Sequence, residues 1–571
     1  MSDLVAIAAE SPQECCGSVL RQASSDARAD RSNRASATPS TRAYSRPQQK
    51  TNVENKVLFG QSYYLRFDPK LWRAMQPYPP LGTLYAAATL RDRGYDVALF
   101  DAMLAGSEEQ WGVTIDRERP RFAVIYEDNF NYLSKMCLLR MRQAAFRMID
   151  MARARSCTVI VCGSDVTDHS EQYLERGAHF ALIGEGEETL SELLDRLTGR
   201  STTELEKIAG LQRRNGDGQV VSTGPRPVMR DLDALPRPAW DLVDIARYRS
   251  IWRQRHGYFS INMATTRGCP FHCNWCAKPI WGQTYQVRSA ADVVDEMKFL
   301  KSQYGIDHIW FADDILGLEP GWLEKFAECV DEQDARVPYK CLSRVDLVLR
   351  PGEIEALRRS GCEIVWVGAE SGSQKILDAM EKGTRVEQIH EAARRLRAAG
   401  IRVGFFLQFG YPGETGAEIE MTRKLVRQCA PDEIGISVSY PLPGTKFYER
   451  VKGQLEEKRN WVDSDDLEMI FVGPFGTAFY RKLHLVVQKE FRCGKAAGDL
   501  WAAIRHPSKL RDRGLRWLLH RLAAAAFHLS TLPIERLRLR RLGHLPHPRA
   551  TALPARMTRA EAATPTPQSP R

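Results

Sequence analysis

The sequence predicts an α/β chain made of a doubly wound sheet, an open partial (β/α)6 TIM-like barrel and a C-terminal helical region. Three observations carry this. Short, wholly apolar runs alternate with amphipathic stretches, first over 55–200 and again over 255–450, the pattern of parallel strands covered on both faces. A polar stretch marked by Pro225, Pro227, Pro236 and Pro238 separates the two series, so 201–254 reads as a linker. At 571 residues the chain also exceeds what one ordinary core serves.

Residues 1–50 are rich in Ser, Arg, Ala and Gln and read as disordered. The first series then begins with VLFG (57–60), the helical LGTLYAAATLRDRG (81–94) and DVALFDA (96–102). FAVIYE (122–127) precedes a helix running through Ala152, TVIVCG (158–163) precedes HSEQYLERG, and HFALIGEGE (179–187) leads into ETLSELLDRLTG. Five apolar strands with helices between them make a Rossmann-like doubly wound unit.

In the second series SINMATT (260–266), HIWFADD (308–314), YKCLSRVD (339–346), EIVWVGAE (363–370), RVGFFLQFG (402–410) and EIGISVSYP (433–441) read as six strands. Six units fall short of the eight that close a barrel, so the barrel stays open. Both designs place ligands at the C-terminal ends of their strands. Beyond about residue 455 helix is expected through 544, and 545–571, rich in Pro, Ala and Thr, reads as a disordered tail.

The net charge of +10 is unevenly spread, since 491–571 hold 16 Lys and Arg against 4 Asp and Glu. The body of the chain is therefore near neutral, which argues against a nucleic-acid groove in it. No long uncharged apolar run and no basic-then-apolar leader occurs, so a cytoplasmic location is expected. The 13 cysteines do not form a disulfide scaffold. Cys157, Cys162, Cys329, Cys362 and Cys429 read as small buried apolar residues.

One cysteine cluster remains, Thr266-Arg267-Gly268-Cys269-Pro270-Phe271-His272-Cys273-Asn274-Trp275-Cys276. Spacings of four and three let one wrapped loop aim three sulfurs inward, as a cuboidal iron–sulfur cluster needs. With three ligands, one iron keeps an open coordination site. Structural zinc with His272 as fourth ligand is the alternative, but no second knuckle exists and His272 adjoins Cys273, a poor geometry for a shared ion.

This segment resembles the radical S-adenosylmethionine superfamily, whose CxxxCxΦC signature it matches with Trp275 as the aromatic residue. The resemblance covers roughly 255–450 and implies a [4Fe-4S] cluster on Cys269, Cys273 and Cys276. The open iron then binds the amino and carboxylate groups of S-adenosylmethionine, and one electron cleaves the sulfonium to a 5′-deoxyadenosyl radical. It further implies that Arg344 pairs with the carboxylate, that Glu370 accepts from the ribose hydroxyls and that Asp313 and Asp314 lie where relatives meet the methionine amino group. The run Phe406 to Glu414 resembles the turn near adenine. A solvated strand end or helix cap is the alternative for each of these residues. A reducing partner such as flavodoxin or ferredoxin is implied as well.

The order of features over 55–200 resembles the cobalamin-binding domain that precedes the radical module in one subgroup, the one containing the anaerobic magnesium-protoporphyrin IX monomethyl ester cyclase. The matching pieces are Pro79-Pro80-Leu81-Gly82, Asp96 to Asp101, Gly163-Ser164-Asp165 and Gly184-Glu185-Gly186-Glu187. Gly163, Ser164, Gly184, Glu185 and Gly186 are the implied cofactor contacts. The DxHxxG motif that supplies a cobalt-ligating histidine is absent, since the first loop reads Gly60-Gln61-Ser62-Tyr63-Tyr64. The loop Glu127 to Tyr132 then faces the corrin, with Tyr126 or Asn129 near its lower side. The alternative is an α/β unit that only shapes the substrate pocket.

Methyl transfer to an unactivated carbon of an apolar or bulky substrate, such as a lipid or tetrapyrrole, is the expected reaction. Oxidative cyclisation without methyl transfer and a non-catalytic iron–sulfur or zinc module are the alternatives. Arg505 to Arg541 mixes Leu, Trp and Phe with a dense Arg face. That composition suits either a helix on an anionic membrane surface or a helical layer on the barrel with a solvated basic face.

Overall fold

A computed structural model describes residues 55–505 and 515–544. The segments read as disordered, 1–50 and 545–571, lie outside the described residues, as does the start of the basic stretch at 506–514.

The first sheet has seven strands: β1 (Lys56–Gly60), β2 (Asp96–Leu99), β3 (Phe122–Tyr126), β4 (Thr158–Cys162), β5 (Phe180–Leu182), β6 (Leu211–Arg214) and β7 (Val220–Ser222), in the order β2-β1-β3-β4-β5-β6-β7. The first five are parallel, and β6 and β7 extend the edge as an antiparallel hairpin. Alternate strand residues face two separate cores. Leu58, Ala123, Ile125, Val159 and Val161 pack with the helices Glu109–Glu118, Leu139–Arg153 and Ser164–Arg176. Val57, Phe59, Val124, Ile160 and Leu182 pack with Leu81–Asp92 and Glu187–Leu197. The sheet is thus doubly wound as expected, and the order 2-1-3-4-5 puts its switch point between β1 and β3, where such sheets bind ligands. The span 201–254 holds more than a linker, namely the β6–β7 hairpin and the helix Ile245–His256.

The second sheet comprises β8 (Ser260–Met263), β11 (His308–Phe311), β12 (Tyr339–Ser343), β13 (Cys362–Glu370), β14 (Arg402–Phe409) and β15 (Glu433–Val438). All neighbours are parallel, the spatial order follows the chain, and β15 does not pair with β8. It is the open six-stranded half-barrel that the alternation predicts. A two-residue ribbon, β9 (Thr266–Arg267) with β10 (Gln286–Val287), pinches off the loop between them.

Two long helices, Thr477–Arg505 and Leu515–Gly543, follow. The first packs on the barrel with Leu483, Val486 and Val487 buried, and Glu490 joins it to Arg423 and to Arg536 of the second helix. Among the described residues no helix is long and apolar enough to cross a membrane. Cys157, Cys162, Cys362 and Cys429 are buried as expected, whereas Cys329 is half-exposed because the amphipathic helix Trp322–Glu332 turns it toward solvent.

Candidate functional site

Directly after β8 the chain enters the ribbon and then the cysteine loop. Gly268 turns the backbone at φ 83°, and a Cβ there would lie 2.4 Å from the Thr284 carbonyl oxygen, so only glycine makes this entry. Cys269 is buried, Cys273 and Cys276 are half-buried, and His272 is exposed. Between the last two cysteines, Asn274 fastens the loop. Its backbone N–H donates to the Met380 carbonyl (3.0 Å), its Nδ2 to the Ala379 carbonyl (2.8 Å), and its Oδ1 accepts from the Tyr411 hydroxyl (2.7 Å). The Trp275 indole N–H is buried with no partner among the described residues.

Among the described residues the one trio of His, Cys, Asp or Glu ligand atoms lying within 4.8 Å of one another is Cys137, Asp165 and His169. Thiolates sharing one zinc at about 2.3 Å would stand about 3.8 Å apart. The three cysteine sulfurs do not all lie within 4.8 Å of one another, and a cluster places its thiolates on separate irons. Burial pushes the Cys276 thiol up to about 12 and raises Cys269.

Cationic groups line the cysteine loop. Arg344, following β12, stacks its guanidinium over the Phe271 ring at 3.6 Å and lies 3.9 Å from Cys273 Sγ. Asp346 (3.0 Å) and the Lys382 carbonyl (3.0 Å) hold it there. Lys382 Nζ pairs with Glu370 at 2.9 Å. Burial pulls the Lys382 ammonium down, but Glu370 and Cys273 outweigh it and leave it raised. A Cβ on Gly368 would sit 2.5 Å from both partners of this pair.

Asp313 and Asp314 are already engaged within the chain. Asp313 is buried and accepts from the backbone N–H of Thr265 and of Thr266 (both 2.7 Å) and from the Thr265 hydroxyl (2.9 Å), so it latches β11 to the entry of the cysteine loop. Burial raises it to about 6 despite these bonds. Asp314 pairs with Lys135 (2.5 Å) from the loop after β3, and Lys135 also lies over Trp281.

The Gly184-Glu185-Gly186-Glu187 turn reaches the cysteine loop. Arg267, two residues before Cys269, is buried between Glu185 and Glu187 (2.7 Å to the latter) and lies over the rings of Tyr85, Phe130 and Trp281. Glu185 also accepts from the Met229 N–H at 2.6 Å. The carboxylate is thus spent on the chain itself. Gly184 accepts its own constraint from Thr167, whose hydroxyl oxygen takes the Gly184 N–H at 3.1 Å. Gly186 touches Cys162 and Tyr126 so closely that a Cβ would lie 2.5 Å from the sulfur.

At the switch point the picture differs. Gln61 Nε2, Glu127 Oε2, Asn129 Oδ1, Ser134 Oγ and Ser164 Oγ are buried without partners among the described residues, and they follow β1, β3 and β4. Unpaired buried polar atoms are costly unless something satisfies them, so this crevice fits a ligand rich in polar groups. Gly163, at φ 150°, has the Glu127 side chain in van der Waals contact, since a Cβ there would lie 2.6 Å from Glu127 Cβ. Burial lifts Glu127 to about 7, and the Ser62 N–H at 2.9 Å binds its other oxygen. Tyr126 is buried against the Gly186 turn, and Tyr132 alone of its loop is widely exposed.

The Cys137–Asp165–His169 trio is occupied by the guanidinium of Arg142. Arg142 grips both Asp165 oxygens at 2.5 and 2.7 Å, and the Tyr173 hydroxyl donates to one of them at 2.6 Å. The guanidinium also lies 3.1 Å from His169 Nδ1, occupying the place a metal cation would take. The contacts of Arg267, Asn274 and Lys382 were not legible from spacing. Arg267 and Asn274 sit inside the cysteine motif, but the partners that give them a role lie about 80 and 105 residues away.

Residues 263–426 match the Radical SAM superfamily. An uncharacterized methyltransferase of Pyrococcus horikoshii is 31% identical over 49% of this chain, which spans 59% of that relative's length. The anaerobic magnesium-protoporphyrin IX monomethyl ester cyclase of Synechocystis is 25% identical over 77% of this chain and 86% of its own. Among solved structures, the radical S-adenosylmethionine methyltransferase TsrM from Kitasatospora setae, with cobalamin and a [4Fe-4S] cluster bound, has a TM-score of 0.57 at 20% identity, covering 70% of this chain and 78% of its own. That likeness establishes the arrangement of sheets. The cysteine loop at the mouth of the parallel half-barrel lies within this span, residues 263–426, which matches the Radical SAM superfamily.

Proposed function

We propose that the chain is a radical S-adenosylmethionine enzyme that holds a [4Fe-4S] cluster on Cys269, Cys273 and Cys276 and cobalamin in the switch-point crevice, and that it methylates an unactivated carbon of an apolar or bulky small molecule, a lipid or tetrapyrrole. The observation that carries the reading is the set of three cysteines on one loop at the barrel mouth, with Arg344 and Lys382 beside Cys273. When bound, the cluster supplies one electron to the sulfonium and cobalamin carries the methyl group.

The chain's own residues position and shield. Arg344, fixed by Asp346 and stacked on Phe271, offers a planar donor to the carboxylate of S-adenosylmethionine. Glu370 is held by Lys382 through one oxygen and takes the ribose hydroxyls with the other. The Trp275 N–H supplies a further donor at the cysteine loop. Asp313 works indirectly by fixing Thr265 and Thr266. Lys135, bound to Asp314, draws the loop after β3 over the barrel mouth and keeps water from it. Ser164, Gln61 and Asn129 would hold polar edges of the cobalamin, with Gly163 and Gly184 shaping the turns beside it. A flavodoxin- or ferredoxin-type donor supplies the electron, and the outer end of the helical hairpin meets an anionic membrane surface.

Anaerobic reconstitution tests the reading. About four irons per chain are expected, with S-adenosylmethionine cleaved to 5′-deoxyadenosine and a cobalamin absorbance on the protein. Cys273→Ala is expected to lose iron and cleavage together. Bound zinc without cleavage would overturn it. Similarity to the cyclase favours a second reading, oxidative ring closure; a product lacking one added methyl would select it.

A further inference from the structure

The half-barrel has two faces. Phe311, Tyr339, Cys341, Val367, Phe405 and Leu407 are buried in the core of the second sheet. The residues alternating with them, Trp310, Lys340, Leu342, Trp366, Gly368 and Phe406, are only partly covered and share register on the opposite, concave face. Two of these form an aromatic wall, one ring packed on the other. The rings of Trp366 and Phe406 lie 4.7 Å apart at 31°, and Phe406 is 37% exposed although β14 is paired on both sides.

Glycines let this packed pair lie close to the sheet. A Cβ on Gly404 would lie 2.4 Å from Trp366 Cδ2, and one on Gly435 would lie 3.1 Å from Phe406 Cδ1. Without side chains at 404 and 435 the packed rings rest against the backbone, Trp366 half-buried and Phe406 exposed to the trough.

Below the wall stands one cation. Lys340 Nζ lies 3.8 Å from the centre of the Trp310 ring and 5.4 Å from that of Tyr78. No hydrogen bond or ion pair holds it among the described residues, whereas Lys382 has Glu370 and Lys135 has Asp314. The charged groups around it are Glu433 and Arg402, which pair with each other, and the neutral His308. Burial lowers the Lys340 ammonium to about 7, with Glu433 raising it and Arg402 lowering it further.

We propose that the substrate is a flat, unsaturated or fused-ring molecule with one anionic group, seated with its ring on Trp366 and Phe406 and its anion on Lys340. Lys340 precedes Arg344 by four residues, so the anchor lies about 13 Å below the cysteine loop along the strands. A ring system held at its acidic end therefore presents a distant carbon at the mouth of the barrel. This rests on the reading of that mouth as the reaction site, but it concerns only what the trough binds.

Fluorescence titration of the full-length protein without cofactors tests it, using 1-pyrenebutyrate and its uncharged methyl ester as probes. The acid is expected to bind about tenfold more tightly than the ester at pH 6, as for a desolvated charge-assisted pair. The margin should shrink at pH 8, where Lys340 loses its proton while His308 and Tyr78 stay neutral at both values. Lys340→Met is expected to erase the margin and Lys340→Arg to keep it at both pH values, and Phe406→Ala to weaken acid and ester alike. Equal binding of the two probes, or a margin that survives Lys340→Met, overturns the anchor; unchanged binding in Phe406→Ala overturns the wall. Because neither iron nor S-adenosylmethionine is present, these results stand apart from reconstitution, whose failure would strike the proposed function alone.

Discussion

Glu127 shows how far a single residue departs from its sequence context. In the run FAVIYE it is one acidic residue closing an apolar strand, and nothing in that run says that its carboxyl will be fully enclosed. In the fold it is 5% exposed, with one oxygen on the Ser62 N–H and the other unpaired. Burial lifts it from 4.5 to about 7. The folded chain therefore binds a proton there that the unfolded chain releases between pH 4.5 and about 7. Stability from this group is greatest below pH 4.5 and falls as pH rises through that window. Glu127→Gln removes the titration, so its stability relative to wild type should improve by about 2–3 kcal/mol between pH 5 and pH 8. Urea unfolding of the cofactor-free protein at both values checks the slope; a pH-independent difference would place the charge elsewhere. The three cysteines, by contrast, stand out in the sequence by their spacing, and Arg344 by its place after a strand, and the fold brings Arg344 to within 3.9 Å of Cys273 Sγ. The contacts of Asp313 and Glu185 were not, because each carboxylate is consumed by the chain's own backbone or arginine, which only folding brings near.

At the scale of elements, runs buried on both faces announce themselves. The eleven strands of the two parallel series appear where apolar runs stand in the sequence, although β2, β12 and β15 are buried only in part. The β6–β7 hairpin did not, since LQRR and VVS sit at a sheet edge with one face toward solvent and carry little apolar signal. Equally hidden was the contact between the two sheets. The Gly184–Glu187 turn after β5 and the β9 ribbon are about 80 residues apart in sequence, yet Arg267 joins them through two buried carboxylates. Removing one side of such an arrangement leaves buried charge without compensation, typically a loss of 3–5 kcal/mol. Arg267→Met should lower stability by about that much, and Arg267→Met combined with Glu185→Gln and Glu187→Gln should recover much of it, because neutral amides at those positions no longer need a cation. Thermal unfolding of the three proteins decides this. A triple variant no more stable than the single one would mean that Arg267 acts through its aromatic contacts with Tyr85, Phe130 and Trp281 instead.

For the whole molecule the telling feature is where charge and exposed apolar surface coincide. Residues 491–571 contain 16 Lys and Arg against 4 Asp and Glu, so the positive charge of the chain is concentrated at one end. The helical hairpin of that region divides along its length. Its inner part is a layer on the barrel, with Lys495 donating to the Asp432 carbonyl and Lys482 paired with Glu535 at 2.6 Å. Its outer part exposes Trp501 (57%), Ile504 (64%), Leu519 (56%) and Phe527 (61%), with Arg505 lying over the Trp501 ring. The inner part is thus a helical layer on the barrel, although Ile534 and Leu537 are exposed there too. Large apolar side chains beside arginines match the chemistry of an interface between anionic headgroups and acyl chains. The full-length protein should float with vesicles containing phosphatidylglycerol at 0.1 M salt and much less with phosphatidylcholine alone, since each basic residue near an anionic surface contributes about 1 kcal/mol. Raising salt to about 0.5 M shortens the screening length and should release a purely electrostatic contact. Retention that persists in high salt and disappears in Trp501→Ala with Ile504→Ala would locate the apolar part of the contact at the hairpin's outer end. Flotation indifferent to lipid charge, or unaffected by that double variant, would mean that this surface meets something other than a membrane.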